Sequence, residues 1–306
     1  MDISSSDSVT KTLITSSDTI SGNESEEISE ESRTLHDYLT IETLGRGAQG
    51  SVEKVRRKRD GQIVAIKVIT TKNIERAKSE VEILEEISKI NGTPQCNPFL
   101  ACYLDHFYDF ENGKFIIEME YISGKNLKKF ILESPVDKRY LYLLLILKDL
   151  VTGLQLVHSK NIIHSDIKPD NILITSDLVP KLVDFGLGCK AAVYTSPGDR
   201  NECPEKELVG TPQFVAPETI ERNVRYFSSD IWSLGVTLYY CAVNTYPFSL
   251  QGLQTPQILS VISRTEPNKL YTDNGLLNSI VDRCLIKDPF KRISLNEISE
   301  KLKILN

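Results

Sequence analysis

Asp166, Lys168, Asn171 and Asp184 fall within about twenty residues of one another. They lie in the runs His164-Ser165-Asp166-Ile167-Lys168-Pro169-Asp170-Asn171 and Val183-Asp184-Phe185-Gly186. Together they offer a carboxylate to position a hydroxyl, a cation for a moving phosphoryl group and two oxygen ligands for a metal ion, which is the equipment of Mg-nucleotide phosphoryl transfer. Each residue alone reads equally well as a turn residue. Two apolar strand-like runs, Ile172–Ile174 and Leu182–Val183, separate the aspartates, and chance does not supply that combination.

Upstream, Gly45-Arg46-Gly47-Ala48-Gln49-Gly50 removes side chains where a chain reversal must lie close over phosphates, so that backbone N–H groups approach oxygen. A dinucleotide-binding fold uses similar glycines but needs a helix next. Here Ser51-Val52-Glu53-Lys54-Val55 continues as strand. Lys67 follows on a further strand, Val64-Ala65-Ile66-Lys67. Strand alternation places Ala65, Lys67 and Ile69 on one face. Ala65 leaves room there for a flat base, and Lys67 reaches for phosphates. A buried-facing lysine wants an acid. On the helix expected over 74–90, Ile83, Leu84, Ile87 and Ile90 form one apolar stripe, and Glu80 falls inside it. Glu82, Glu85 and Glu86 fall outside and read as solvated.

These segments, in this order, resemble the protein-kinase signature, and from Tyr38 to the C-terminus the chain is similar to eukaryotic-type protein kinases. The resemblance implies ATP and Mg2+ as cofactors. It implies Asp166 as the hydroxyl-positioning base, Lys168 as charge stabiliser, and Asn171 and Asp184 as metal ligands. Around the nucleotide it implies Leu44, Gly45, Gly47, Gly50, Val52, Ala65, Lys67, Glu80 and Leu173, with Met119 as gatekeeper, backbone groups of Glu120 and Ile122 on adenine, and Asn126 near the ribose. Gly210-Thr211-Pro212-Gln213-Phe214-Val215-Ala216-Pro217-Glu218 resembles the close of an activation segment. There Thr211 is expected on Asp166 and Lys168, as in serine/threonine kinases, and Glu218 on Arg292. Asp230 is expected to cap the catalytic loop, and Leu84 and Tyr103 to pack above Phe185 and His164. One departure is plain: the family's usual arginine before the catalytic aspartate is Ser165. With no charge at 165, a phosphate on Tyr194, Thr195 or Ser196 finds no partner in the catalytic loop, unless Lys190 serves. Substantial activity without loop phosphorylation is therefore expected, with control through a regulatory protein partner, the tail or expression.

The elements that must position these residues are legible in outline. Strand patterns cover Tyr38–Leu44, Ser51–Arg57, Ile63–Ile69, Tyr103–Tyr108 and Lys114–Tyr121, with a hairpin signal at Asp60-Gly61. Helical spacing follows near 126–133, 138–158, 229–244, 255–264, 275–285 and 294–303. The expected fold is α+β and bilobal: a small antiparallel-sheet lobe with one main helix (about 38–121), a hinge (about 120–124) and a larger helical lobe (about 125–306). A ligand should sit between the lobes.

Residues 1–34 carry eight acids against Lys11 and Arg33 and no aromatic residue, and read as a disordered acidic tail before a kinase domain at 35–306. The formal charge of −6 is all in that tail, so bulk charge gives no reason to expect nucleic acid or membrane as a partner. The apolar run Tyr140–Leu147 is short and reads as a core helix. Six cysteines without a CxxC pair read as reduced thiols, and with no signal-peptide pattern the expected location is cytoplasmic, with nuclear access. Partners are expected to be protein substrates; oligomeric state is not legible. Two rival readings are a pseudokinase scaffold, which would lack one of Lys67, Asp166, Asn171 or Asp184, and a small-molecule phosphotransferase, which would not need the peptide-docking segment 210–218.

Overall fold

The computed structural model describes residues 33–47, 50–90, 93–192, 202–204 and 210–305. Most of the acidic tail, and Tyr194, Thr195 and Ser196, lie outside them. Five antiparallel strands form the first layer: β1 (Tyr38–Gly47), β2 (Gly50–Arg57), β3 (Ile63–Thr70), β4 (Tyr103–Asp109) and β5 (Lys114–Glu120), in the order β1-β2-β3-β5-β4. Alternation along β3 works as the sequence demands. Val64 and Ile66 join Tyr38, Val55 and Ile116 in a small cluster on one face. Ile69 turns to the other face, where it packs with Phe115, Ile117 and α1 (Ile74–Ile87). The buried stripe of α1 is Ala77, Glu80, Val81, Ile83, Leu84 and Ile87, so the acid does lie on the apolar face.

The second lobe is helical: α2 (Leu127–Glu133), α3 (Arg139–Ser159), α4 (Pro217–Arg222), α5 (Phe227–Val243), α6 (Thr255–Arg264), α7 (Gly275–Cys284) and α8 (Leu295–Leu302). By length and composition 136–159 is apolar enough to cross a membrane. It lies instead in this lobe, where Leu143, Leu147, Leu150, Leu154 and Val157 are buried in the main core with Trp232 of α5. Short strands at Gly124–Asn126, Ile172–Thr175 and Pro180–Leu182 form a three-stranded sheet under the cleft. The expected bilobal α+β fold is formed.

The structure departs from the sequence expectations in four places. Helix α1 ends at Ile87, short of 90, because Lys89–Ile90 pairs with Thr93–Pro94. β1 runs on to Gly47, so its register with β2 (Gly45↔Val52, Gly47↔Gly50) carries the strand pair into the glycine loop. Arg33 and Thr34, assigned to the tail on composition, are anchored. Arg33 Nη1 bonds Asp105 at 2.5 Å and its guanidinium lies over the Phe107 ring, while Thr34 and Asp37 form a reciprocal capping box. Finally, four cysteines are paired rather than reduced: Cys96 with Cys102 and Cys189 with Cys203, at Cα separations of 5.2 and 6.5 Å. Loops bring these residues together without a CxxC spacing. Cys241 and Cys284 are free and buried.

Candidate active site

Lys67 projects from the centre of β3, between Val52 of β2 and Ile117 of β5. Its Nζ donates to both Glu80 oxygens at 2.7 Å and to Asp184 Oδ1 at 2.9 Å. Burial works against the Lys67 charge, but Glu80 and Asp184 outweigh it and raise its pKa. Burial pushes the Glu80 carboxyl upward, with Asp184 adding to that push and Lys67 opposing it. The contact is bidentate, in a site where Glu80 is 2 % exposed. Burial also opposes the Asp184 charge, yet Lys67 holds its carboxyl below the usual range. The Asp184 side chain is 47 % exposed and opens on the cleft, unlike Glu80.

The catalytic loop is knitted around Asp166. Lys168 Nζ donates to Asp166 Oδ2 at 2.6 Å and to Thr211 Oγ1 at 2.7 Å. Thr211 Oγ1 donates to Asp166 Oδ1 at 2.8 Å, and its amide to the same oxygen at 3.1 Å. Asn171 Nδ2 donates to the Asp166 carbonyl at 2.9 Å and to Oδ2 at 3.0 Å. That use of the amide nitrogen leaves the Asn171 carbonyl oxygen for another partner.

Beneath the loop, Asp230 is fully buried. It accepts from the His164 amide and from His158 Nε2 on one oxygen and from the Ser165 amide on the other, all at 2.9 Å. Burial opposes its charge, but His158 and the His164 amide outweigh that and lower its pKa. His164 packs edge-on against Phe185 with ring centroids 4.7 Å apart, and Leu84 and Tyr103 belong to the same core. Farther down, Arg292 Nη1 and Nη2 each donate to Glu218 at 2.6 Å in a buried pair.

A cavity of about 750 Å3 is lined by Gly45, Gly47, Gly50, Val52, Lys67, Asp166, Lys168, Asn171, Asp184 and Thr211, among others. The glycines differ in kind. A Cβ on Gly50 would lie 1.8 Å from the Val68 carbonyl oxygen, so this glycine lets β2 pass β3. A Cβ on Gly45 or Gly47 would meet nothing within 4 Å, so their bareness keeps the cavity roof open to a ligand.

Ala65 is buried opposite Met119, and Leu173 pairs with Asn126, while Leu44 is exposed on β1. The Glu120 amide donates to the Cys102 carbonyl, and its carboxylate accepts from the Cys102 amide and Lys181. No bond among the described residues takes up the Ile122 backbone, which fits a ligand edge there. Of the expected nucleotide residues, Leu44, Ala65, Met119, Glu120, Ile122 and Leu173 lie outside the lining of this cavity, and so does Asn126. Its Oδ1 caps α2 by accepting from the Lys129 amide, and its Nδ2 donates to Asp170. Reaching a ribose would require giving up one of these bonds.

Sequence reasoning missed Arg225. Its Nη1 donates to Ser165 Oγ at 2.5 Å and to the Leu187 carbonyl at 2.6 Å. It lies sixty residues beyond Ser165, so local spacing carries no signal for it.

Among the described residues no group of three His, Cys, Asp or Glu stands ready for a metal. Mg2+ takes one or two protein oxygens and completes its shell with phosphates and water, so Asp184 and the Asn171 carbonyl fit a nucleotide-borne ion.

A paired Lys–Glu under a glycine loop, facing a carboxylate–lysine–asparagine loop across a two-lobed cleft, defines a phosphotransferase of the protein-kinase fold. Comparison with known proteins agrees: residues 38–302 match the family model described as Protein kinase domain. The chain is 34% identical over 275 residues to mitogen-activated protein kinase kinase 2 of Arabidopsis thaliana, covering 87% of this chain and 72% of that one. It is 30% identical over 285 residues to the serine/threonine-protein kinase GRIK2 of the same plant (88% and 65%), and 30% over 278 residues to human serine/threonine-protein kinase Nek2 (86% and 59%). The chain belongs to the protein kinase family, in its serine/threonine branch.

Proposed function

We propose that this chain transfers the γ-phosphoryl group of ATP, with Mg2+, to serine and threonine hydroxyls of protein substrates through the residues brought together above. The observation that carries this reading is the convergence of Lys67, Asp166, Lys168, Asn171, Asp184 and Thr211 on one cavity under the glycine loop. Bound Mg-ATP supplies the phosphoryl group and the divalent charge that offsets its oxygens. Asp166 would hold the acceptor hydroxyl and take up its proton on a carboxylate oxygen once one of the four donors now on that carboxylate gives way. Lys168 and Thr211 fix that carboxylate in one orientation, since each of its oxygens already accepts a bond. Lys67, steadied by Glu80, presents its charge to the phosphates. Asp184 and the Asn171 carbonyl would hold the metal. Val52, Ala65 and Leu173 would enclose the base, with Met119 beside it and the backbone of Glu120 and Ile122 at its edge.

The segment 210–218, pinned by Thr211 at one end and by Glu218 on Arg292 at the other, suits a peptide rather than a small acceptor. Similarity to a plant enzyme named mitogen-activated protein kinase kinase supports a signalling role with protein partners.

The test is labelling of a generic protein by Mg-ATP followed by phosphoamino-acid analysis. Phosphoserine or phosphothreonine is expected, and Asp184→Ala should abolish it. Asp166→Asn should remove most turnover while nucleotide affinity stays nearly intact, because metal and phosphate contacts survive. Full activity in either variant would overturn the assignment.

A further inference from the structure

Ser165 sits at a junction. Its backbone is left-handed (φ 71°), its amide is held by Asp230 and the next residue is Asp166. A serine there supplies no charge, yet a guanidinium is present. Arg225 comes from the two-residue strand Val224–Arg225, whose partner is Cys203–Pro204, with Cys203 opposite Arg225. The arginine is 3 % exposed. One of its nitrogens, Nη1, reaches both Ser165 Oγ and the Leu187 carbonyl. Leu187 directly follows Asp184-Phe185-Gly186. A single donor group therefore ties the residue before Asp166 to the residue after Gly186, and anchors both to the chain that leads into α5.

The charged surroundings fit a cation used for positioning. Burial pushes Arg225 down to about 10, with Asp230 pulling it up and Arg76 of α1 pulling it down, so it remains charged at neutral pH. Charge-assisted bonds to a hydroxyl and a carbonyl are stronger than neutral ones. Both acceptors belong to segments whose relative placement sets the distance between the hydroxyl-holding carboxylate and the metal-binding one. Small displacements there are costly for a reaction that depends on alignment.

We propose that Arg225 is a positioning residue for phosphoryl transfer: from outside the catalytic loop it supplies the cation that the loop lacks at Ser165, and it locks the Asp166 and Asp184 segments in register. This rests on the roles given to Asp166 and Asp184 above.

The experiment measures steady-state phosphorylation of a generic protein by the full chain at 25 °C, below the melting temperature of every variant. Wild type and Asp184→Ala run alongside Arg225→Ala, Arg225→Lys, Ser165→Ala and the double variant Ser165→Ala/Arg225→Ala. If wild type itself transfers no phosphate, the functional reading fails. If it does, kcat of Arg225→Ala should fall about 10- to 100-fold with KM for ATP changed less than about threefold, since alignment and not nucleotide binding is lost. Arg225→Lys should retain activity within about fivefold of wild type, because one nitrogen makes both bonds and an ammonium carries three donors. The double variant should be no worse than Arg225→Ala, because Ser165 acts through the arginine. The inference is overturned if Arg225→Ala keeps wild-type kcat, if its loss only tracks a lower folded fraction, or if lysine restores nothing.

Discussion

Removing the carboxylate of Glu218 should cost this protein a large part of its stability. In the folded chain both Glu218 oxygens accept from Arg292, at 2.6 Å each, and Ser229 Oγ donates to Oε1 at 2.7 Å. Both side chains are out of solvent, at 0 % exposure for Arg292 and 2 % for Glu218. Glu218→Ala leaves the guanidinium buried without its counter-charge, a loss of about 3–5 kcal/mol in comparable sites. The structure argues for the lower end. Arg292 keeps the carbonyls of Ile286, Ser228 and Lys287 as acceptors, and its guanidinium lies 5.0 Å from the Trp232 ring centroid. A loss of about 3 kcal/mol corresponds to roughly 5 °C in Tm for a domain of this size. Replacing both partners with methionine should cost clearly less than Glu218→Ala, because no orphaned charge remains. Thermal and urea unfolding of the three proteins tests this. A Glu218→Ala loss below about 1 kcal/mol, or a double variant no better than the single, would show that the buried pair is not what fixes this end of the segment 210–218.

Other outcomes follow from the same geometry. Gly50→Ala should lower stability by about 1–3 kcal/mol because its methyl meets the Val68 carbonyl, whereas Gly47→Ala should leave Tm unchanged or slightly higher and raise KM for ATP; parallel Tm and KM measurements separate the two. Asp230 titrates below the ordinary aspartate value of about 3.9, so its stabilising contribution is present above that pH and lost as pH falls through its lowered value; the acid limb of unfolding curves should be shallower in Asp230→Asn. Arg225 already donates to Ser165 and Leu187, so phosphatase-treated enzyme, confirmed unmodified by mass spectrometry, should keep most of its rate; a hundredfold loss restored by phosphorylating the loop would refute that expectation.

The chemistry of this chain is legible in its letters because phosphoryl transfer needs particular side chains at short, fixed intervals. Lys67, Asp166, Lys168, Asn171 and Asp184 meet in the cleft from segments recognisable one by one. Glu80 is marked both by the resemblance and as the acid on the apolar stripe of α1, and it does meet Lys67. What escaped the sequence is long-range pairing. Arg225 on Ser165, Arg33 on Asp105 and Cys189 with Cys203 join residues whose separation along the chain carries no periodic signal. Asn126 escaped for another reason: the first position of a helix and a ribose contact call for the same side chain, and the helix took it. The end of α1 at Ile87 was missed because apolar spacing continues through Ile90 while the chain has already turned to pair with Thr93–Pro94.

Asp230 grips the loop by its main chain. The two amides it accepts from belong to His164 and Ser165, and every residue except proline offers an amide. The path of the chain into Asp166 is thus held by contacts that use no side chain at 165, although the left-handed backbone there (φ 71°) still disfavours branched residues. That position is released from holding the backbone and is open to drift, provided something else meets the electrostatic need of the loop. Here serine stands at 165 while its amide holds the path into Asp166, and the guanidinium beside it comes from Arg225 on another strand. Anchoring by backbone allows the two duties of one residue to be divided between two, and lets the sequence around a fixed reaction wander.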